Sequence, residues 1–358
     1  MIIKIKLLSY KILKISYFDA GIITPEEILI AADLVPIRLL GNPNIGIDKA
    51  NEHIPPTHCV WARNILEQAI KGLDSDIKGV IVTHGCDCTN REFDIWLECV
   101  DLDFMFFLNA PLKRDKTSLK FFVKDIKELI TQLEEHFNVS ITNEKIIEAI
   151  KLMNKIRNLL KEISEYRSKM ILKGSEFHHI VKNVQQQDKK EALKMLEDKL
   201  EEIKTRTPFI DKNLKKIFLT GSVIDDTEFI KFLESLGYQI VQDDLCIGTR
   251  YFWINVDETE KPIKALAKYH LSKPIYSTKV PSQKRFDFVK DLAEKYNVDG
   301  VVNIAQKFCE PILYDHPFMS KKFKELKNPI PYLFIEMEYN RESYKQLATR
   351  FEAFAEII

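Results

Sequence analysis

The chain of 358 residues carries 53 basic and 53 acidic side chains, so its formal charge is zero and bulk electrostatics make no case for nucleic acid or an anionic membrane. Hydrophobic residues make up 45% and charged residues 30%, an ordinary balance for a soluble globular protein, and the length calls for two or three domains. No apolar run approaches the ~20 residues of a membrane helix. Lysines interrupt the apolar N-terminus MIIKIKLLSYKILKISYF throughout, so no signal peptide is read there and a cytoplasmic location is expected.

Lys14 to Tyr17 reads as a first strand. Thr24-Pro25-Glu26-Glu27 opens a helix, with Thr24 as N-cap, Pro25 at the first helical position and Glu27 closing a capping box. Val35 to Leu40 is a second strand, ended by Gly41-Asn42-Pro43, and a loop through Pro55-Pro56 reaches His58-Cys59. Helical spacing runs from Val60 to Ile70. Gly79 to Thr83 is a continuous apolar, β-branched run that suits a strand buried on both faces of a parallel sheet. His84-Gly85 breaks it. Thr89, with Glu92 three residues later, predicts a capping box and a helix over Asn90–Val100, which leaves Cys86 and Cys88 in the loop between. Phe104 to Leu108 is a further strand.

From Ser118 to Arg206 strand signals almost vanish. Thr142-Asn143 begins a long amphipathic helix, with Ile146, Ile150, Met153, Ile156, Leu160 and Ile163 at three- and four-residue steps. Lys189 to Thr205 is a charged helix with a solvated face. His178-His179 lies among these helices without a partner at ligand spacing, and a packing or surface role is expected.

The α/β pattern returns at Lys216–Thr220. A helix over Thr227–Leu236 stops at Gly237, strand Gln239–Val241 runs into Asp243-Asp244-Leu245-Cys246, and helices follow near Ile263–His270 and Gln283–Tyr296. Gly300 to Ile304 and Tyr332 to Glu336 are strands, and Glu342 to Ile357 is the closing helix. The halves match in layout: Gly79-Val80 leads to Cys86, and Gly300-Val301 leads to Cys309. The expected fold class is α/β, with two flavodoxin- or Rossmann-like parallel-sheet domains joined by a helical region. The expected division is 1–117, an N-terminal α/β domain with the cysteine loops; 118–210, helical; and 211–358, a C-terminal α/β domain.

Six cysteines are too sparse for a disulfide scaffold. Cys59, Cys86 and Cys309 all fall after strands, at the edge where open α/β sheets bind ligands. If the domains face each other, three thiolates meet in the cleft. Scattered sulfur ligands suit iron–sulfur or zinc, and three ligands would leave one iron of a cubane an exchangeable position. Compact ferredoxin runs and paired CxxC knuckles are absent. A Cys86–His84 nucleophile pair lacks an oxyanion motif, and no G-x-G-x-x-G or Walker A sequence marks a nucleotide site. The plain alternative for Cys86 and Cys88 is a pair of small hydrophobes filling a turn. Cys99, on a helix among apolar residues, reads as core.

Several stretches, in order, resemble the 2-hydroxyacyl-CoA dehydratase and benzoyl-CoA reductase subunits. They are YFDAGIITPEEILIAADLVPIRLLG at 17–41, HCVWAR at 58–63, VIVTHGCDCTNREFDIW at 80–96, DDLCIGTRYF at 243–252, DGVVNIAQKFCEP at 299–311, PYLFIEMEYN at 331–340 and TRFEAF at 349–354. The resemblance implies a [4Fe-4S] cluster held by Cys59, Cys86 and Cys309, with Cys246 and Cys88 as possible additional ligands toward an [8Fe-9S] double cubane. It implies an acyl-CoA substrate, a homologous second subunit or homodimer, and a separate ATP-dependent iron–sulfur activator protein that delivers one electron. The reaction implied is a ketyl radical at the thioester followed by loss of water. His58, His84 and Arg63 are candidates beside the cluster for orientation or proton handling. The rival expectations are an iron–sulfur electron-transfer or double-cubane reductase protein without acyl-CoA dehydration, and a zinc-stabilised binding protein.

Overall fold

The computed structural model describes residues 13–18, 23–72, 76–209 and 213–358; of the apolar, basic stretch 1–18, where no signal peptide is read, residues 1–12 lie outside them. In chain order the first half comprises β1 (Lys14–Phe18), α1 (Glu26–Ala31), β2 (Val35–Arg38), α2 (Ala50–His53), α3 (Val60–Ile70), β3 (Ile77–Thr83), α4 (Asp87–Cys99) and β4 (Phe104–Leu108). Four helices follow: α5 (Lys116–Phe137), α6 (Asn143–Ser168), α7 (Gly174–Gln185) and α8 (Lys189–Lys204). The last part comprises β5 (Lys215–Gly221), α9 (Thr227–Ser235), β6 (Tyr238–Asp243), α10 (Thr249–Phe252), α11 (Pro262–Ser272), α12 (Ser282–Lys295), β7 (Gly300–Gln306), α13 (Glu310–Lys324), β8 (Tyr332–Met337) and α14 (Glu342–Ile357).

The strands form two four-stranded, wholly parallel sheets, ordered β2-β1-β3-β4 and β6-β5-β7-β8. The expected fold class is therefore observed, and the two sheets repeat one order. In each, the third strand of the set lies beside the first, so the chain crosses from one side of the first strand to the other. That reversal creates a crevice at the strands' carboxyl ends. The strands next to β1 and β5 inside the sheets are buried without alternation: β7 along its whole length, and β3 at Val80, Ile81 and Val82.

Helix α6 is the strut between the sheets. Its expected apolar stripe is buried at Ile146, Ile150, Met153, Ile156, Leu160 and Ile163, and Thr142 accepts from the Lys145 amide as its N-cap. From it, Arg157 donates to Glu27 on α1, and Arg167 donates to Asp243 at the end of β6 (2.6 Å). The large apolar core around it includes Trp61 of α3, Val80 of β3, Trp96 of α4, Val181 of α7, Leu196 of α8 and Ile247 beyond β6. Among the described residues no helix is long and apolar enough to cross a membrane.

Two helix starts differ from the expectation. Helix α1 begins at Glu26, the Thr24 hydroxyl meets Thr83 Oγ1 at 2.8 Å, and Glu27 is committed to Arg157. Helix α4 begins at Asp87, three residues earlier than Thr89 implied, so Cys88 sits in its first turn rather than in a loop. Its N-cap is Cys86. The Thr89 hydroxyl reaches back to accept from the Cys86 amide at 3.0 Å, which leaves Glu92 free for a buried role.

Candidate functional site

Cys59, Cys86 and Cys309 each occupy the position immediately before a helix, at α3, α4 and α13. Three helix N-termini thus end on sulfur, and their amides favour a negative group there. The thiols share one electrostatic neighbourhood: charge on Cys86 opposes ionisation of Cys59, and charge on both opposes that of Cys309. Burial pushes the Cys59 thiol up to about 12 and Cys309 well above the ordinary range. Cys86 goes the other way, down to about 6, because Cys88 hydrogen-bonds to it and the Thr89 amide and hydroxyl add to this. The same bond, with burial, raises Cys88.

The remaining cysteines separate by position. Cys246, only 3% exposed in the loop after β6, borders Tyr276, which also feels Cys86 and Cys309. Cys99 lies at the far end of α4, where its Sγ donates to Ile95 O at 3.0 Å. It packs against the core as expected and is remote from the N-terminal turn that carries Cys86.

Of the polar candidates, His58 Nε2 lies 3.3 Å from Glu92 Oε2, a carboxylate with no exposure at all. Burial raises the Glu92 pKa and His58 opposes that rise. Arg63 braces the loop before Cys59, donating through Nε to His58 O (3.2 Å) and through Nη1 to Asn51 Oδ1 (2.8 Å). His84 is tied by its amide to Leu108 O (2.9 Å). Its ring borders a cleft of about 420 Å³ that also meets Cys86, Cys88, Asp87, Ser277, Thr278 and Asp315. Burial, then Lys279, lowers the His84 pKa.

Among the described residues no three His, Cys, Asp or Glu side chains gather tightly enough to hold a single metal ion. A cubane fastens each thiolate to a different iron, so its ligands surround a volume rather than a point. Three soft sulfur donors on separate helix starts fit that demand better than they fit one tetrahedral ion.

Sequence reasoning missed a buried charge network that reaches the cleft at Asp315. Asp244 pairs twice with Arg250, at 2.5 and 2.6 Å, and the Arg250 guanidinium lies 4.7 Å above the Tyr276 ring. Arg285 donates to Asp315 and to Thr220 Oγ1 (2.9 Å) and stands 3.6 Å from Asp244. All four charged side chains are buried. The sequence signal is limited to charge at Asp244 and Arg250 within the family-like stretch 243–252; Arg285 and Asp315 carry no local motif.

Residues 22–358 match the family described as 2-hydroxyglutaryl-CoA dehydratase, D-component. The chain is 28% identical over 341 residues to the (R)-phenyllactyl-CoA dehydratase beta subunit of Clostridium sporogenes, covering 94% of this chain and 89% of that protein. It is 24% identical to the lactoyl-CoA dehydratase subunit beta of Anaerotignum propionicum, with 94% and 90% covered. It is 22% identical to a benzoyl-CoA reductase subunit of Thauera aromatica, with 93% and 88% covered.

Proposed function

The chain belongs to the 2-hydroxyglutaryl-CoA dehydratase D-component family, and on that footing we propose that it is the iron–sulfur subunit of a 2-hydroxyacyl-CoA dehydratase, a hydro-lyase. The observation that supports this reading is that Cys59, Cys86 and Cys309 each stand at a helix start and that their charges oppose one another. These thiolates would hold a [4Fe-4S] cluster, with the α3, α4 and α13 amides favouring its negative charge. When bound, such a cluster supplies single electrons to a thioester carbonyl. The names of relatives as beta subunits support a second, homologous subunit as partner, and the one-electron chemistry calls for an ATP-dependent iron–sulfur activator.

The protein's own groups do the rest. Arg63 holds the carbonyl of His58, the residue before Cys59, and the buried Glu92 carboxylate stands 3.3 Å from the His58 ring. His84 and the polar cleft wall face the space beside Cys86, where an acyl group would lie.

A second reading rests on Cys88, whose free thiol is hydrogen-bonded to Cys86 and borders the same cleft. A fourth nearby sulfur suits an [8Fe-9S] double cubane and a reductase role without dehydration.

The test is iron and sulfide per chain after strictly anaerobic purification. About four irons in the wild type, lost in Cys309→Ala and kept in Cys99→Ala, support the leading reading. Zinc alone, or the reverse mutant pattern, overturns it.

A further inference from the structure

Four buried polar atoms bordering the 420 Å³ cleft have no hydrogen-bond partner among the described residues: Asp315 Oδ1, Ser277 Oγ, Thr278 Oγ1 and His84 Nδ1. Buried polar atoms are nearly always paired, by protein or by something bound, because leaving one unmade costs most of its desolvation. Four such atoms belong to residues that line one cavity. Asp315 is the most demanding of them. Its residue is only 6% exposed, and its other oxygen accepts from Arg285. Arg285 is itself fixed by Thr220 and Asp244, and Asp244 by Arg250. The carboxylate is therefore held by Arg285 through one oxygen, while the other, buried at the cleft wall, has no hydrogen-bond partner among the described residues.

We propose that Asp315 is the ligand-binding carboxylate of this cleft and that it accepts a hydrogen bond from a hydroxyl of the bound molecule, with Ser277 and Thr278 completing the polar wall. The inference rests on the acyl-CoA reading above, and it assigns the hydroxyl in question as the one on the acyl chain. A carboxylate acceptor selects donors: a hydroxyl satisfies it, whereas a methylene at the same place leaves it buried and unpaired. The hydroxyls of Ser277 and Thr278 can donate or accept, so they suit the thioester carbonyl alongside. Burial raises the Asp315 pKa, and Arg285 and Arg250 oppose the rise without cancelling it. Tyr314 and Leu112 stand exposed on the same cleft and offer an apolar edge to the rest of an acyl chain.

The experiment is equilibrium binding of (R)-phenyllactyl-CoA and of its deoxy analogue, 3-phenylpropionyl-CoA, to the anaerobically purified full-length protein with its partner subunit. The wild type is expected to prefer the hydroxylated ester by roughly ten- to a hundredfold. Asp315→Asn should erase that preference while iron and sulfide content stay unchanged. Ser277→Ala, which leaves the Arg285 pair intact, should weaken both esters together and serves where the Asp315 variant folds poorly. A preference that survives in Asp315→Asn, or no preference in the wild type, overturns the assignment of Asp315. Failure of the wild type to bind either ester overturns the acyl-CoA reading itself.

Discussion

Trp61 Nε1 donates to Asp225 Oδ2 at 2.8 Å, tying the helix that starts after Cys59 to the loop that follows β5. The same carboxylate accepts from the Gly41 amide (2.6 Å) and from the Tyr339 hydroxyl (2.5 Å). One fully buried aspartate thus gathers both halves of the chain. Asp225→Ala leaves three donors without an acceptor, and a destabilisation of about 3 kcal/mol is expected. Denaturant unfolding measures it, and the Trp61 emission should shift to the red. An unchanged midpoint would show that water replaces the carboxylate.

Arg157 reaches from α6 to Glu27 on α1 with both side chains nearly without exposure, and its guanidinium lies 4.4 Å from the Tyr269 ring. Arg157→Met strands a buried carboxylate and should cost about 3–5 kcal/mol. Adding Glu27→Gln should return a substantial part of that loss, since the uncompensated charge is gone. A double variant no better than the single one would place the cost in lost packing against Tyr269 instead.

His178 is held neutral. Its Nε2 donates to Ile224 O at 2.9 Å and its Nδ1 meets Thr227 Oγ1 at 3.0 Å, and burial lowers its pKa to about 4. Nearby Lys182 pushes the same way, while Asp243 and Asp226 oppose. The unfolded chain takes up the proton first, so this residue's contribution is intact above the ordinary histidine range and is lost as pH falls toward 4. The loss amounts to roughly 3 kcal/mol at most. Stability against pH for wild type and His178→Gln checks it: the wild type should fall more steeply between about 6.5 and 4.

Cys88→Ser separates the two cluster readings. Iron and sulfide unchanged from the wild type accord with three ligands and one cubane; iron falling by about half accords with the larger cluster.

The sheets are legible in the sequence because their strands are short apolar runs between turn residues. The limits of β4, α3 and α14 fall where the hydrophobic spacing puts them. Capping rules are less reliable near the cysteines. A cysteine at the N-cap is invisible to a rule that looks for Ser, Thr, Asp or Asn, so the rule starts α4 one turn late and assigns Glu92 to the cap. Helix α13 escapes a sequence reading because Pro311 and Pro317 argue against a helix, although Pro311 sits in its first turn, where a missing amide is harmless. With α13 goes Asp315. Ser277 and Thr278 lie in a connection between helices, and nothing periodic marks them. Local pattern carries no information on which side chains distant in sequence share one cavity.

The three helix-start cysteines come from stretches that leave the ribosome at very different moments. Cys59 and Cys86 emerge early, and Cys309 only after β5, β6 and β7 have been made. A cysteine triad so arranged does not exist on a half-made chain, unlike the compact runs of small ferredoxins. In the folded chain, Asp225 and α6 tie the second sheet to the half that carries Cys59 and Cys86. Loading of such a site would report that both sheets have been made and brought together, and a chain cut before β7 would not qualify.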